Sequence, residues 1–430
     1  MGDRSSLKTR FLQAGALLLG IFVIFYEYYQ SDRFSRILQS LSAPVVYWKD
    51  CISPYLMAKA ILNGLNPYLS LHQLAAQFLP QANPADHPTP YPPLTGILSL
   101  PIGFLSYEMV ARIWLVAELL CLLTTLVLLL RWWGASLNPI KVAVLFALSV
   151  IWMPVNEELW QGQFMSCLML LLVGAWLALR AGKQTMGGVL LGGLIVIKMI
   201  AWPIVLFLAL RRQWRSVGAA AVVFIAANLL AVAVLGVAVV RDYYLKVGPF
   251  DARLWRPAEG NLSAWAWGIR LFEGAGFSFH ISPWWPSPML ALIATYVLPL
   301  AVLLLGMTVA WRAANFDTAF GWLAGVSILL SPIAWYFYLL LAVIPLVVLA
   351  RRLVVMGLPA ELSVLALGFL LFLSIKPGFY DHLAKSFGTP FNAQHMLAVP
   401  FAAGLFTLIP TAALLCLLWL VWRTDHVELP

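Results

Sequence analysis

Apolar residues in this chain gather in runs of roughly twenty, the length that crosses a bilayer core as an α-helix, with short polar breaks between them. The runs predict helical spans at about 11–29, 109–131, 138–154, 163–181, 186–210, 216–240, 288–311, 316–333, 335–350, 356–375 and 395–422. Two long segments, about 30–107 and 241–287, interrupt the series and are too large for mere connections. Within the first, a helix near Phe34, Ile37, Leu38 and Leu41 reads as lying on the membrane surface. The stretch "LTGILSLPIGFL", broken by Pro101, is too short to span comfortably and also reads as lying along the membrane.

Composition makes this an integral membrane protein: 62% of the 430 residues are hydrophobic and only 10% are charged. A net charge of +9 would suggest nucleic acid in a soluble chain. Here the cations sit at the ends of apolar runs, as Arg4/Lys8/Arg10, Arg131/Lys141, Arg180/Lys183, Arg211/Arg212/Arg215, Arg312, Arg351/Arg352 and Arg423. That placement sets topology, with all of these clusters cytoplasmic under the positive-inside rule. The first run exceeds a signal-peptide core and lacks a small-residue cleavage site before Asp32, so it reads as a retained helix. Cys121, Cys167 and Cys416 fall in apolar runs and only Cys51 lies outside them, which gives neither a disulfide framework nor zinc spacing.

The run "GGVLLGGLIVIKMIAWPIVLFLALRR" has basic clusters at both ends, so a single crossing would put one of them on the wrong side. Gly192-Gly193, Lys198 and Pro203 favour two half-helices that enter and leave by one face, with Lys198 near the tip. Such irregular backbone is tolerated at membrane depth only where it lines protein or a polar cavity. Counting the hairpin as two gives twelve membrane segments with both termini cytoplasmic. The outer face then carries the loops 30–107, 154–163, 241–287, the break from Pro332 to Trp335, and 376–394. One membrane domain spanning 1–430, with loop 241–287 capping it, is the simplest organisation.

Few residues in this apolar chain are suited to chemistry. Asp50 lies in the first outer loop beside Val46, Tyr47 and Trp48, where partial desolvation favours a proton-accepting carboxylate. Two plainer readings stand beside it: an ion pair with Lys49, or a cap for the helix beginning near Pro54, a role open to Ser53 as well. Lys198 is the ionisable residue deep in an apolar run, which suggests a polar cavity or a ligand phosphate unless the side chain snorkels. Arg112, Glu118, Glu157 and Glu158 sit near membrane ends, and "EELWQGQ" falls on the same face as Asp50, as a binding element or a solvated turn.

Loop 241–287 carries Arg241, Arg253, Arg256, Arg270 and His280 among Trp255, Trp265, Trp267, Trp284 and Trp285. Its arginines suit a phosphate, whereas most of its tryptophans fit an interfacial belt. Asn261 and Ser263 form either a binding turn or a helix cap. There is no phosphate loop, dinucleotide fingerprint, Asp-x-Asp pair or His/Cys cluster, so any group transfer draws on a donor that needs no nucleotide-binding domain.

Several short motifs occur together in order: Asp50, Tyr55, Ala60, Gly64 and Asn66-Pro67-Tyr68; Tyr91 to Leu94 as "YPPL"; Gly162-Gln163 in "WQGQ"; Lys198 in "IK"; Asn261 and Ser263 in "GNLS", followed by Arg270; and Ser331 to Trp335 as "SPIAW". In this order the chain resembles the multispanning GT-C glycosyltransferases that use polyprenyl-phosphate sugars, and specifically glycosyltransferase family 87, which includes mannosyltransferases of mycobacterial phosphatidylinositol mannosides. The resemblance covers most of the chain. It implies an all-α polytopic GT-C fold, with Asp50 as general base and Lys198 in a lipid-phosphate cavity. It extends a substrate-binding role to Tyr68, Tyr91, Glu158, Gln163, Asn261, Ser263, Arg270, Tyr336 and Tyr338. The chain departs from the family pattern after "SP..W": where one or two histidines are usual it has Tyr336, Phe337 and Tyr338, so a tyrosine hydroxyl, His280 or His382 must replace that contact or it is lost.

The expected activity is inverting transfer of a hexose, mannose first, or a pentose, from a polyprenyl-phosphate sugar to a lipid or glycan hydroxyl at the outer face of a bacterial inner membrane. A lone acid suffices, because the leaving phosphate already carries charge that cations can stabilise, unlike the carboxyl pair of a glycosidase. No cofactor and no metal are called for by the residues. The rival expectation is a transporter or flippase of a lipid-linked sugar, suggested by the hairpin and Lys198.

Overall fold

The computed structural model describes residues 50–390 and 396–429. The expected first span at 11–29, the surface helix near Phe34 to Leu41 and the pairing of Lys49 lie outside the described residues. The helices used below are α1 (Ile52–Leu62), α2 (Tyr107–Trp133), α3 (Pro139–Ile151), α4 (Met153–Gln161), α5 (Met165–Arg180), α6 (Gln184–Ile197), α7 (Trp202–Leu210) and α8 (Trp214–Leu235). They continue as α9 (Gly248–Trp255), α10 (Pro288–Arg312), α11 (Phe316–Leu330), α12 (Val343–Val355), α13 (Ala360–Ser374), α14 (Pro377–Lys385) and α15 (Ile409–Arg423).

The longest helices carry their apolar side chains on the outside. α2, α8 and α10 run for 27, 22 and 25 residues, and Leu120, Val222, Leu229, Leu292 and Leu304 on them are exposed. Contiguous apolar surface on helices of bilayer length is a lipid-facing surface. Their ends are marked locally: Ser106 and Ser287 accept from the backbone N–H groups of Met109 and Leu290 as N-caps, and Gly134 closes α2 in the left-handed region at φ 76°.

Inside this shell, α5, α11, the 3-10 turn Tyr336–Ala342 with α12, and α15 build the core around Trp176, Phe320, Leu340 and Leu414. α11 is buried on nearly all sides, which is why its sequence shows no polar face.

Five helical stretches among the described residues are long and apolar enough to cross a membrane, or up to seven if two bent pairs each count as one span. The chain is thus an all-α membrane protein, and its helix lengths support a coarser count than twelve. The stretches at 163–181 and 316–333 form helices of 16 and 15 residues, shorter than a comfortable crossing. The span expected at 138–154 turns by 73° between α3 and α4 at Trp152, just before Pro154. The segment 154–163, expected as an exposed outer loop, is therefore mostly the buried helix α4.

Over 186–210 the chain reverses. Gly188 of α6 lies against the Ser216 backbone and Gly192 against that of Ala220, so α6 and α8 run parallel, and α7 between them must run back. A Cβ at Gly188 would sit 2.1 Å from the Ser216 carbonyl oxygen, so only glycine permits this approach. Lys198 ends α6, and Ala201 takes a left-handed conformation at φ 63° before Trp202 and Pro203 open α7.

The basic clusters gather at one end. Arg351 donates to the Trp132 carbonyl (2.9 Å), Arg180 pairs with Asp317, Arg211 faces the Trp311 ring, and buried Arg352 donates to Thr318 and to the Val421 carbonyl. At the other end of α5, about 24 Å away at 1.5 Å per residue, lies Gln163. There β1 (His280–Ile281) pairs parallel with β3 (Leu397–Val399), which pairs antiparallel with β2 (Thr389–Pro390). This ribbon ties loop 241–287 to the segments that flank α14.

Candidate active site

A cavity of about 500 Å3 opens at the end of the bundle away from Arg180, Arg211, Arg351 and Arg352, and Asp50, Tyr91, Gln163, Lys198, Tyr336 and Tyr338 line it. Long-range contacts bring these residues together. The Asp50 N–H donates to the Gln161 carbonyl (2.6 Å), which fixes the start of α1 against the end of α4. Gly162 then turns in the left-handed region at φ 67°, a conformation glycine adopts without strain, and presents Gln163. The Trp114 indole N–H holds the Gln163 carbonyl at 3.0 Å.

The Gln163 side chain is the hub. Its Nε2 donates to Asp50 Oδ2, while its Oε1 accepts from the Tyr91 hydroxyl (2.8 Å) and from Lys198 Nζ (3.3 Å). A carboxylate only accepts and an ammonium only donates, so the amide has one consistent orientation. Asp50 does not cap α1, whose N-cap is Cys51, a residue that makes no side-chain capping hydrogen bond. Loss of hydration on burial raises the Asp50 pKa, opposed by the Gln163 hydrogen bond and the Lys198 charge. Burial also holds the Tyr91 hydroxyl well above the usual phenol range, so it acts as a donor.

Lys198 sits in a cage of aromatic faces, with Nζ 4.4 Å from the Tyr338 ring centroid, 5.5 Å from Phe337 and 5.7 Å from Tyr91. Each such face stabilises a desolvated cation by about 0.5–2 kcal/mol while leaving its protons available. Tyr338 thus contributes its ring to the cation. The Tyr336 hydroxyl is engaged with backbone carbonyls at the end of α13, Leu373 at 2.8 Å among them.

The remaining residues predicted from sequence stand behind the cavity wall. Tyr68 donates to the Tyr91 carbonyl (3.0 Å), and Glu158 accepts from the Ser166 N–H (2.9 Å) at the start of α5. Ser263 Oγ bonds the carbonyls of Leu329 and Ser331, and Trp265 Nε1 donates to that of Leu330, which satisfies the last acceptors of α11. Asn261 Oδ1 accepts from Ser263 and Ala334, both at 3.0 Å. This bracket fixes the Ser331–Trp335 segment from which Tyr336 and Tyr338 enter the site. Arg270 donates from Nη2 to the carbonyls of Ala258 and Glu259 while its Nε and Nη1 are buried without a partner, and burial lowers its pKa to about 10 against the charges of Glu259 and Asp381.

Neither His280 nor His382 lines the cavity, whereas His87 does. His87, Asp251, Trp255, Trp335 and Glu157 complete the walls, and the first three are functional candidates that the motifs did not single out. The available signal was an acid, Asp251, four residues before Trp255, and a histidine four residues before Tyr91. Among the described residues no group of three or more His, Cys, Asp or Glu is placed to hold a metal ion.

The family model described as glycosyltransferase family 87 matches residues 89–332, more than half of the chain. The chain belongs to glycosyltransferase family 87. The match begins just before Tyr91 and ends within the "SPIAW" segment, so it covers the hub, the lysine hairpin and the α11 bracket, while Asp50 precedes it. This family 87 chain is also 30% identical over 144 residues to an alpha-(1->3)-arabinofuranosyltransferase of Mycobacterium tuberculosis, found in two strains. That alignment covers 33% of this chain and 33% of the relative, so the chain matches about a third of the length of its curated relatives. No solved structure matches.

Proposed function

We propose that this family 87 protein is an inverting glycosyltransferase that moves a sugar from a polyprenyl-phosphate donor to a hydroxyl of a lipid or glycan acceptor. The observation that carries the reading is a partly desolvated carboxylate, Asp50, joined through one glutamine to a caged lysine in a single cavity. Asp50 takes the proton of the acceptor hydroxyl as that oxygen forms its bond to the anomeric carbon. The bond from that carbon to the phosphate oxygen breaks on the opposite face, and the electron pair leaves with the polyprenyl phosphate. Lys198, with its charge near the cavity and its hydration replaced by rings, is suited to the phosphate charge that grows in this step. Gln163 orients Asp50 and links it to Tyr91 and Lys198.

The separation of the cavity from the arginine-rich end favours a site on the outer, periplasmic face of an inner membrane, with loop 241–287 as its cap. Mannose was the first expectation for the sugar. The name of the relative, an arabinofuranosyltransferase, adds weight to a pentose, and both belong in the assay.

Purified protein is incubated with arabinofuranosyl- and mannosyl-phosphopolyprenols and glycan or lipid acceptors. Asp50→Asn and Asp50→Ala are expected to lose about 10²- to 10⁴-fold in transfer while remaining folded. Full transfer by folded Asp50→Ala would sink the base assignment. Movement of the donor lipid across vesicles without a new glycosidic bond would replace the transferase reading with a flippase.

A further inference from the structure

The cavity has a second wall that the reaction above does not use. Asp251 on α9 is 2% exposed, lines the cavity, and has a side-chain oxygen, Oδ1, with no hydrogen-bond partner. The His87 imidazole has Nδ1 at 3.6 Å from that oxygen, beyond hydrogen-bond reach. That Nδ1 is 2.7 Å from the Pro88 carbonyl, which only accepts, so the ring proton is committed there. A buried carboxylate oxygen without a donor is costly to maintain, and the cost falls when the carboxyl takes up a proton or when something in the cavity donates to it.

Trp255 lies one helical turn beyond Asp251 and lines the same cavity. Its ring is set edge-on to His87 at 5.4 Å and to Trp335 at 5.7 Å, which holds it in place. A carboxylate beside an indole matches one chemistry well: a neutral sugar ring, whose hydroxyls donate to the carboxylate while its C–H face covers the indole. It does not suit a phosphate, which Asp251 would repel and which Lys198 attracts. The cavity therefore has an acidic aromatic wall and a cationic aromatic wall.

Resting on the transferase reading, we propose that Asp251, with His87 and Trp255, forms a sugar-hydroxyl subsite that determines which sugar ring the enzyme accepts. The ring belongs either to the donor's transferred sugar or to a sugar of the acceptor, and the two sources separate experimentally.

Wild type, Asp251→Asn and Asp251→Ala are compared for binding of an arabinofuranosyl- or mannosyl-phosphopolyprenol and of sugar-free polyprenyl phosphate, and for the KM of a glycan acceptor. The near-isosteric Asp251→Asn guards against failure of Asp251→Ala to fold. For a donor subsite, binding of the sugar-bearing lipid weakens about tenfold or more, while binding of sugar-free polyprenyl phosphate is unchanged. For an acceptor subsite, both lipids bind as before and the acceptor KM rises by a similar factor. Equal weakening of both lipids, or no change in any of the three measurements, would overturn the subsite while leaving the transferase reading intact. If wild type binds neither lipid, the transferase reading fails and the subsite with it.

Discussion

Gln163 donates its side-chain N–H to the Asp50 carboxylate across 113 positions of sequence, and the same amide accepts from Tyr91 and Lys198. One neutral side chain thereby couples the proposed base to the proposed phosphate-facing cation and fixes the orientation of both. If that coupling matters, replacing the amide should do more than remove one contact.

Gln163→Glu places a second carboxyl against Asp50, so like-charge repulsion raises the proton affinity of the pair. Transfer is expected to fall about tenfold or more at neutral pH and to recover partly at higher pH, whereas Gln163→Ala loses activity at all pH values. Matching pH–rate profiles for the two variants would contradict the hub role.

Lys198→Met keeps the length of the side chain and its packing against Tyr338 but removes the charge. Transfer is expected to fall about 10²- to 10³-fold, the range for loss of one transition-state stabilising group. Binding of polyprenyl phosphate should weaken in parallel. Unaltered lipid affinity would place the phosphate elsewhere.

The pKa of Asp50 is raised because burial disfavours its charged form. A base must be deprotonated, so kcat/KM should fall as pH drops through that raised value, at a higher pH than the ordinary aspartate value of about 3.9. The sign for stability is opposite. A raised folded-state pKa contributes stability that is present below the unfolded value and lost as pH rises through the folded value. Asp50→Asn should therefore melt above wild type at neutral pH, with the gap closing in acid. A lower melting temperature at neutral pH would show that the charged form is stabilised by its surroundings.

Gly188→Ala drives a methyl group into the Ser216 backbone, which cannot move aside as a side chain would. Overpacking of this kind costs about 1–3 kcal/mol, more than the gain of about 1 kcal/mol in helix propensity. The protein should melt earlier in detergent and lose transfer as Lys198 shifts. Gly193→Ala, with open space around its Cβ position, serves as the control and should leave the melting temperature unchanged or raise it slightly through helix propensity. Equal effects from both would refute the contact argument.

The bracket that Asn261 and Ser263 form shows where sequence reading reaches its limit. Their polarity in an aromatic loop marked them as important, as substrate contacts or as a helix cap; Ser263 caps the short 3-10 turn Ala264–Ala266 and also holds the last carbonyls of α11, while Asn261 accepts from the Ala334 N–H just beyond it. Arg270, read as a phosphate clamp, holds a backbone turn through Nη2 and stands outside the cavity lining. The same residue types serve a ligand and a chain terminus, because both present oxygen atoms that need donors.

The family resemblance singled out Asp50, while sequence alone determined the membrane class, the apolar helices and the reversal that Lys198 and its flanking cations demand. These follow from local rules: helix length against bilayer thickness, and the cost of placing a charge in hydrocarbon. Only the tertiary structure decided which polar residues meet. The bend at Trp152 that buries "EELWQ", the Gly162 turn that aims Gln163, and the approach of His87 to Asp251 depend on how helices distant in sequence pack. A cavity is defined by what several helices leave unfilled, and no local pattern of residues records that space.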